Sequence, residues 1–192
     1  TLLKQSLGIS DSDIVILFAG KLEEKKSPGL LLNNFLSLNL LNTHLIFAGS
    51  GKLEAQLKYQ ASGHNNIHFM GFQNQLIMPA IYQLCDIFCL PSQGPGETWG
   101  LAVNEAMACG KAILVSNKCG CDIDLVNEKN GGIFASGSDT DLKQILQKLA
   151  SSKNILTQLG GNSRLFIKNW NFLRIVEHIE NEILTLSNAS KK

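Results

Sequence analysis

Two glutamates flank a glycine-containing segment in the middle of the chain. Glu97 lies in a loop and Glu105 lies about one turn inside the helix predicted to follow, so both carboxylates can face one crevice. A carboxylate accepts two hydroxyl groups well, and sugars and riboses present paired hydroxyls. The backbone amides of Trp99, Gly100 and Leu101 open the predicted helix and can bind the oxygens of a diphosphate.

Basic side chains collect at a second place, directly after the first predicted strand. Residues 20–27 carry three lysines just before another helix begins, and Lys21 and Lys26 are the two that we assign to a diphosphate clamp. An ammonium group and the positive end of a helix both attract phosphate oxygens. The alternative is a solvated loop in which the two glutamates of the segment neutralise the neighbouring lysines.

The elements that must position these groups follow from the apolar pattern. Short, β-branched runs bounded by Gly, Pro, Asn or Ser predict buried parallel strands, and segments with helical character lie between them. This alternation predicts a Rossmann-like, doubly wound α/β sheet, in which ligands bind beyond the carboxyl ends of the strands. The predicted strands are 13–19, 44–48, 66–70, 86–90 and 112–116, and the predicted helices are 28–38, 53–61, 77–84 and 101–109.

We expect a single domain over residues 1–192. Its predicted parts are a linker or leading helix at 1–12, an α/β core at 13–135, a helical tail at 136–187 and a frayed end at 188–192. Ser27 and Pro28 are interpreted as the N-cap and first turn of the helix at 28–38. The tail is predicted to follow a brief strand at 133–135 and to contain helices at 141–149, 154–158, 163–170 and 172–186.

Composition excludes several classes of partner. The formal net charge is +1, so no global field favours nucleic acid or an anionic membrane. The longest apolar runs, such as 14–19, are far shorter than the roughly 20 residues that cross a bilayer as a helix. The chain begins with Thr1 rather than Met, so we expect a fragment whose N-terminal partner is missing.

Two nucleotide-binding fingerprints fail in this sequence. A G-x-G-x-x-G motif that starts at Gly49 would need a third glycine where Glu54 stands, which argues against a nicotinamide or flavin cofactor. The Gly110-Lys111 pair lacks the upstream glycine of a P-loop.

The cysteines and histidines do not form a recognisable metal or catalytic motif. The five cysteines contain no C-x-x-C pair, so we predict reduced thiols, a cytoplasmic setting and no metal. Cys119 and Cys121 flank one glycine and are interpreted as small residues in a tight loop, with a redox or metal pair as the alternative. The four histidines have no partners at catalytic spacing, and we expect them at surface or loop positions.

The motifs together resemble the C-terminal donor-binding domain of retaining glycosyltransferases with the two-domain GT-B fold, particularly family 4. The resemblance covers nearly the whole chain, and its segments follow one another in the family's order. Gly20-Lys21-Leu22 with Lys26 is similar to G-R-L-x-x-x-K, residues 48–51 to a G-x-G strand end, 70–72 to a base-proximal loop, 86–92 to A-D-v-f-v-L-P-S, 97–105 to E-x7-E and 105–110 to E-A-M-A-x-G.

The resemblance implies a role for each site residue. Lys21 and Lys26 would hold the diphosphate of a nucleoside-diphosphate sugar, and Glu97 would contact the transferred sugar. The other implied donor-binding residues are Gly20 in the lysine segment, Gly71 and Phe72 near the base, Thr98, Trp99, Gly100 and Leu101 at the helix start, and Glu105 at the ribose. Trp99 either stacks on a sugar or packs the loop against the core.

Two departures from the family pattern affect the lysine segment. Lys21 stands where the family usually has arginine, so a bidentate fork is replaced by a point charge. Ser27-Pro28 replaces the usual glycine after the second lysine.

The implied activity is transfer of a hexosyl group from a nucleoside-diphosphate sugar, with UDP as the family-level guess, to a glycan or other acceptor. No cofactor or metal is implied, and retention would proceed by front-face attack without a protein nucleophile. An N-terminal domain of the same protein would bind the acceptor and make any contact with the inner face of a membrane, so this chain alone is expected to be inactive. The alternatives are a noncatalytic nucleotide-sugar-binding module and a GT-B epimerase or phosphorylase.

Overall fold

The computed structural model describes residues 2–94 and 97–189 of the 192-residue chain. Strands and helices alternate through most of it, as the apolar pattern predicts. The strands are β1 (Ile14–Ala19), β2 (Thr43–Ala48), β3 (Ile67–Gly71), β4 (Ile87–Leu90), β5 (Ala112–Ser116) and β6 (Gly131–Phe134). The helices are α1 (Leu2–Ser6), α2 (Pro28–Leu38), α3 (Glu54–Gln60), α4 (Met78–Leu84), α5 (Leu101–Ala108), α6 (Asp122–Leu125), α7 (Asp139–Leu149), α8 (Lys153–Ile167) and α9 (Phe172–Ala189), and a 3₁₀ turn spans Glu24–Lys26.

The strands form one parallel sheet in the order β3-β2-β1-β4-β5-β6. The predicted Rossmann-like, doubly wound α/β fold is therefore confirmed. Successive strands lie to one side of β1 up to β3, and the chain then crosses to β4 on the other side. This reversal leaves a crevice beyond the carboxyl ends of β1 and β4, which is where open sheets of this kind bind ligands.

The centre of the sheet is buried on both faces because β1 and β4 are apolar at every position. All six residues of β1 are buried, as parallel strands covered on both sides require. Alternate residues serve opposite faces: Val15 and Leu17 pack in the core that contains α4 and α5, whereas Ile16 and Phe18 pack in the core that contains α2, α3 and α7.

Helix α8 corrects one prediction about the tail. The sequence predicts two helices, at 154–158 and 163–170, because Gly160 and Gly161 interrupt the helical pattern, but α8 runs unbroken through both glycines. A Cβ on Gly160 would lie 2.1 Å from the carbonyl oxygen of Gly110. The glycine therefore permits close packing of α8 against the end of α5 instead of ending the helix.

Ser27 corrects a second prediction. Its backbone is left-handed (φ 49°, ψ 45°), and its side chain does not cap α2. The Ser27 hydroxyl instead donates to the carbonyl oxygen of Glu24 at 3.1 Å, so it closes the preceding 3₁₀ turn. The predicted first-turn proline, Pro28, is in place.

Helix α9 reaches Ala189, and residues 190–192 of the predicted frayed end lie outside the described residues. Within residues 2–94 and 97–189, no helix has the length and apolar character needed to cross a bilayer.

Candidate functional site

The loops after β1, β2 and β3 are joined to one another by backbone hydrogen bonds. The amide of Gly20 donates to the carbonyl of Ala48 at 3.0 Å, and the amide of Gly49 donates to the carbonyl of Gly71 at 2.7 Å. A Cβ on Gly49 would lie 1.9 Å from the carbonyl oxygen of Gly20, so only glycine fits there. The loops after β1 and β2 are consequently packed backbone against backbone at Gly20 and Gly49.

A groove of about 470 Å³ opens at the carboxyl ends of β1 and β2. Lys21 and Glu105 both line it, so a cation and a carboxylate share one cleft. Lys21 is exposed and forms no ion pair with any residue in the described ranges, which leaves its charge available to a ligand. The rest of the lining is Ala19, Gly20, Ala48, Gly49, Ser50, Gly51, Phe72, Gln73, Gln75, Met78, Tyr82 and Ala102.

A somewhat larger groove of about 560 Å³ lies between residues 127–130 and α8. It adjoins the amino end of β6, and none of the predicted site residues lines it. Its larger size does not make it the better candidate for a ligand site, because the predicted site residues Lys21 and Glu105 line the groove at the strand ends instead.

Two hydrogen-bond donors hold the carboxylate of Glu105 in the groove at the strand ends. The hydroxyl of Tyr82 donates to Glu105 Oε2 at 2.7 Å, and the side-chain amide of Gln75 donates to Glu105 Oε1 at 2.8 Å. Burial raises the pKa of the Tyr82 hydroxyl, and its hydrogen bond to Glu105 and the nearby carboxylate charge raise it further. The hydroxyl therefore remains protonated and keeps donating throughout the physiological range.

Glu97, in the loop after β4, forms an ion pair with Lys26, which follows the neighbouring strand β1. Lys26 Nζ contacts Glu97 Oε2, which also accepts a hydrogen bond from the Ser92 hydroxyl at 2.9 Å. The two charged side chains are only 19% and 9% exposed, so solvent screens the attraction less than at an open surface. The loop after β1 and the loop after β4 are thereby joined through their charged side chains.

The start of α5 is built to expose backbone amides. Gly100 precedes the helix with φ +97°, and no side chain caps the helix start. A Cβ on Gly100 would lie 3.3 Å from Leu90 Cδ2, a tight contact that adds to the strain of the positive φ. The N–H groups of Leu101 and Ala102 are consequently available to an anion, whereas that of Val103 donates to the carbonyl of Gly100 at 2.8 Å.

The segment that carries Glu97 rests on the loop after β5. The amide of Gly120 donates to the carbonyl of Glu97, and the amide of Cys121 donates to the carbonyl of Trp99, each at 3.0 Å. A Cβ on Gly120 would lie 1.9 Å from the carbonyl oxygen of Thr98. Two residues of the predicted glycine loop, 95 and 96, lie outside the described residues.

The structure separates the two interpretations of Trp99. Its indole N–H donates to Asn104 Oδ1 at 2.8 Å, and its ring lies 5.6 Å from that of Trp170. Trp99 also packs against the apolar core and is not among the described residues that line the groove. These contacts favour an anchoring role for the side chain.

The predicted site residues thus fall into groups. Gly20, Lys21, Phe72 and Glu105 line one groove, and Lys26 pairs with Glu97 outside its lining. Phe72 is 78% exposed at the rim. Gly71 ends β3 at φ +66° and accepts from Gly49, and Thr98 and Leu101 are exposed beside Gly100 at the start of α5.

Three polar side chains that touch the two glutamates were missed at the sequence level. Tyr82 and Gln75 contact Glu105, and Ser92 contacts Glu97. Ser92 lies in the strand-end motif 86–92, so a signal for it existed. Tyr82 lies in a mostly apolar helical segment, where an aromatic residue is typical of the core.

The prediction for the histidines is wrong for two of the four. His44 and His68 lie on β2 and β3, partly buried, with His44 Nδ1 3.1 Å from His68 Nε2. His44 Nε2 lies 3.2 Å from Asp13 Oδ2. Parallel pairing of β2 with β3 sets Ile46 opposite His68. His44 lies two residues before Ile46 on the same face of the sheet, so the two imidazole rings meet although they are distant in sequence.

Cys119 and Cys121 lie in the tight loop after β5 that their spacing predicts, and all five cysteines are free thiols. Burial raises the pKa of the Cys121 thiol to about 12. Across residues 2–94 and 97–189, no three His, Cys, Asp or Glu side chains are grouped as a metal site requires.

The family model for glycosyl transferases group 1 matches residues 1–166 of the chain. The chain belongs to this family. An uncharacterized glycosyltransferase of Methanocaldococcus jannaschii is 31% identical over 142 residues, which are 72% of this chain and 36% of that protein. A lipopolysaccharide 1,2-N-acetylglucosaminetransferase of Salmonella typhimurium is 29% identical over 180 residues, 86% of this chain and 47% of that protein. This group 1 chain therefore spans less than half the length of these relatives.

Solved structures give the group 1 chain the predicted fold, one half of a GT-B fold. Anabaena HepE in complex with UDP and glucose matches with a TM-score of 0.77 and 23% identity, over 97% of this chain and 51% of that one. Sucrose-phosphate synthase from Thermosynechococcus elongatus matches with a TM-score of 0.79 and 18% identity, over 97% of this chain and 48% of that one. At these identities the likeness establishes the fold alone.

Proposed function

We propose that this chain is the donor-binding domain of a retaining glycosyltransferase of family 4, which binds a nucleoside-diphosphate sugar, with UDP as the first nucleotide to test. Lys21, Lys26 and the amides of Gly100 and Leu101 hold the diphosphate. Glu97 orients the transferred sugar and Glu105 binds the ribose. Gly71 and Phe72 lie near the base.

The observation that carries this proposal is the shared groove of Lys21 and Glu105 at the carboxyl ends of the strands. A nucleotide needs one group that attracts phosphate and one that accepts hydroxyls, and this cleft has both. Its mostly apolar lining and the exposed ring of Phe72 suit a planar base. The complexes of HepE with UDP support a nucleotide of this class.

Catalysis in this proposal rests on charge stabilisation. Negative charge develops on the β-phosphate as the bond to the sugar breaks, and prearranged cations lower the barrier to that step. Lys26 is held in place by Glu97, whereas Lys21 is exposed in the groove. No protein nucleophile is assigned, so retention would proceed by attack on the same face that the leaving group departs from.

Calorimetry with the isolated chain tests donor binding. Titration with UDP-, GDP- and ADP-sugars should give weak binding to at least one of them, and absence of binding to all three would count against the proposal. Glu105→Ala should lower the affinity by about tenfold or more, as loss of a hydrogen-bonded charged group does. Glu180→Ala, on the exposed face of α9, is the matched control and should bind like the unmodified chain.

The acceptor is assigned to the remainder of the longer protein, because this chain spans less than half of its relatives. We expect the full-length protein to transfer sugar in the presence of an acceptor and this chain alone to transfer none. A full-length protein that binds donor but never transfers its sugar would be a noncatalytic module. Epimerised donor, or dependence on phosphate without nucleotide, would indicate the other enzyme classes.

A further inference from the structure

The carboxylate of Glu105 is fixed from two sides by residues of separate elements. Tyr82 comes from α4 and Gln75 from the loop before it, while Glu105 lies on α5. Each donor takes a different carboxylate oxygen, at 2.7 Å for the Tyr82 hydroxyl and 2.8 Å for the Gln75 amide. Two donors on two oxygens define the plane of the carboxylate, which one donor alone would leave free to rotate.

The two donors differ in how firmly they are held. The Tyr82 ring is buried and packs edge-on against Phe88, with ring centroids 5.8 Å apart and an interplanar angle of 64°. Its hydroxyl emerges from the core at the groove that Glu105 lines. Gln75 is exposed and lies at the rim. Tyr82 is therefore the rigid support of the carboxylate, and Gln75 is the adjustable one.

A carboxylate held in this way keeps acceptor capacity for a ligand. Each oxygen of an ionised carboxylate has more than one acceptor direction, so one protein donor per oxygen leaves room for a hydroxyl on each. A ribose presents two adjacent hydroxyls at a matching spacing, whereas a 2′-deoxyribose presents one. Prior fixation of the carboxylate lowers the entropy lost when both hydroxyls bind.

We propose that Tyr82 and Gln75 are positioning residues that hold Glu105 for a pair of ribose hydroxyls, and so set a preference for ribonucleotides over 2′-deoxyribonucleotides. This inference rests on the ribose role of Glu105 in the proposed function. It adds that the preference depends on a tyrosine that acts through Glu105, with its ring buried and its hydroxyl bonded to the carboxylate.

The experiment compares matched nucleotide pairs on the isolated chain. UDP, GDP and ADP are titrated beside their 2′-deoxy counterparts, and the ratio of the two dissociation constants is the readout. The unmodified chain should prefer the ribonucleotide by about tenfold, the size expected for one hydrogen bond to a charged group. Tyr82→Phe keeps the ring and removes the hydroxyl, and it should bring the ratio close to one by weakening the ribonucleotide, which uses two hydroxyls, more than the 2′-deoxyribonucleotide, which uses one.

A control and a second variant separate positioning from general damage. Tyr59→Phe removes a hydroxyl from an exposed tyrosine on α3 and should leave the ratio unchanged. Gln75→Ala alters an exposed side chain, so it tests the idea without disturbing the core, and it should lower the ratio by less than Tyr82→Phe does. Equal weakening of both nucleotides by Tyr82→Phe would mean a merely structural role and would overturn the inference.

Glu105→Ala distinguishes failure of the inference from failure of the proposed function. A variant series in which Glu105→Ala abolishes the preference while Tyr82→Phe and Gln75→Ala retain it would leave the ribose role standing and refute the positioning role. A chain that binds none of the six nucleotides, or shows no preference before mutation, would remove both.

Discussion

Gly49 lies so close to Gly20 that a Cβ on Gly49 would come within 1.9 Å of the Gly20 carbonyl oxygen. This contact joins the loops after β1 and β2 at the wall of the groove that Lys21 and Glu105 line. We expect Gly49→Ala to lower the free energy of unfolding by about 2–4 kcal/mol, since the clash adds to the strain of φ +141°. Urea unfolding measures the loss, and nucleotide titration should show that binding is lost as well.

Gly63→Ala is the control for that substitution. Gly63 also has a positive φ, +83°, but nothing lies within 4 Å of its Cβ position. It should lose only the conformational part, about 1 kcal/mol. Equal losses at the two positions would show that the close approach of Gly49 to Gly20 has no energetic weight.

Two adjacent glycines in α8 should respond in opposite directions to the same change. A Cβ on Gly160 would lie 2.1 Å from the Gly110 carbonyl oxygen, so Gly160→Ala should destabilise the protein by about 1–3 kcal/mol. Gly161 has open space around it, so Gly161→Ala should stabilise the helix by up to about 1 kcal/mol. Thermal unfolding of the two variants checks the signs, and a stabilised Gly160→Ala would contradict the packing described.

His68 should make stability depend on pH. Burial, and secondarily the neighbouring His44, lower the pKa of His68 below its ordinary value of about 6.5. Below pH 6.5 the unfolded chain then binds a proton more readily than the folded one. The contribution of neutral His68 to the free energy of unfolding is therefore complete above about pH 6.5. It is lost as the pH falls through the window between that value and the lower pKa of the folded state.

Measurement of Tm between about pH 7 and pH 5, in steps of about half a pH unit, tests this linkage. His68→Gln should flatten the decline of Tm toward low pH, because its side chain does not titrate. His64→Gln, in an exposed turn, should keep the slope of the unmodified protein. An unchanged slope in His68→Gln would mean that this imidazole is not the group responsible.

Removal of one partner from the Lys26–Glu97 pair should cost more than removal of both. Lys26→Met leaves the largely buried Glu97 carboxylate without its cation, and we expect a loss of about 1–3 kcal/mol, between the values for surface and buried pairs. The double variant Lys26→Met/Glu97→Gln should recover part of that loss, because no unpaired charge remains. Urea unfolding of the unmodified chain, Lys26→Met, Glu97→Gln and the double variant gives the coupling energy between the two side chains. Purely additive losses of unfolding free energy would argue against a pair.

Glu97→Gln separates the sugar from the nucleotide in the proposed site. If Glu97 orients the sugar, the variant should bind UDP within about twofold of the unmodified chain but bind a UDP-sugar about tenfold more weakly. Paired calorimetric titrations measure both constants. Equal weakening of UDP and UDP-sugar would assign Glu97 to the diphosphate or to the fold instead.

The strands of the sheet could be predicted from sequence because each buried parallel strand is a short apolar run that can be recognised on its own. The runs at Ile14–Ala19 and Ala112–Ser116 are apolar at nearly every position and bounded by turn residues, so both strands could be placed within a residue. The two glycines of α8 show where local reasoning fails. Gly160 looks like a helix break in the sequence, but the glycine is needed because the backbone of Gly110 lies against it. Four elements, β5, α6, β6 and α7, separate Gly110 from α8 along the chain, so no local pattern could reveal this contact.

The site was predictable where a motif lies in one segment and hidden where it spans several. Glu97 and Glu105 could be named from their spacing around a glycine. The partners of Glu105 could not, because Tyr82 and Gln75 meet it only after α4 and α5 pack together. The His44–His68 contact was missed for the same reason, since strand pairing creates it.

The chain contains two tryptophans, Trp99 and Trp170, and their rings are 5.6 Å apart beside the start of α5. The tryptophan fluorescence of this chain therefore comes from a single location. Because Trp99 directly precedes Gly100, a ligand that reorders the helix start would change the emission without any attached label. The molecule carries its own optical reporter next to the amides that we assign to the diphosphate.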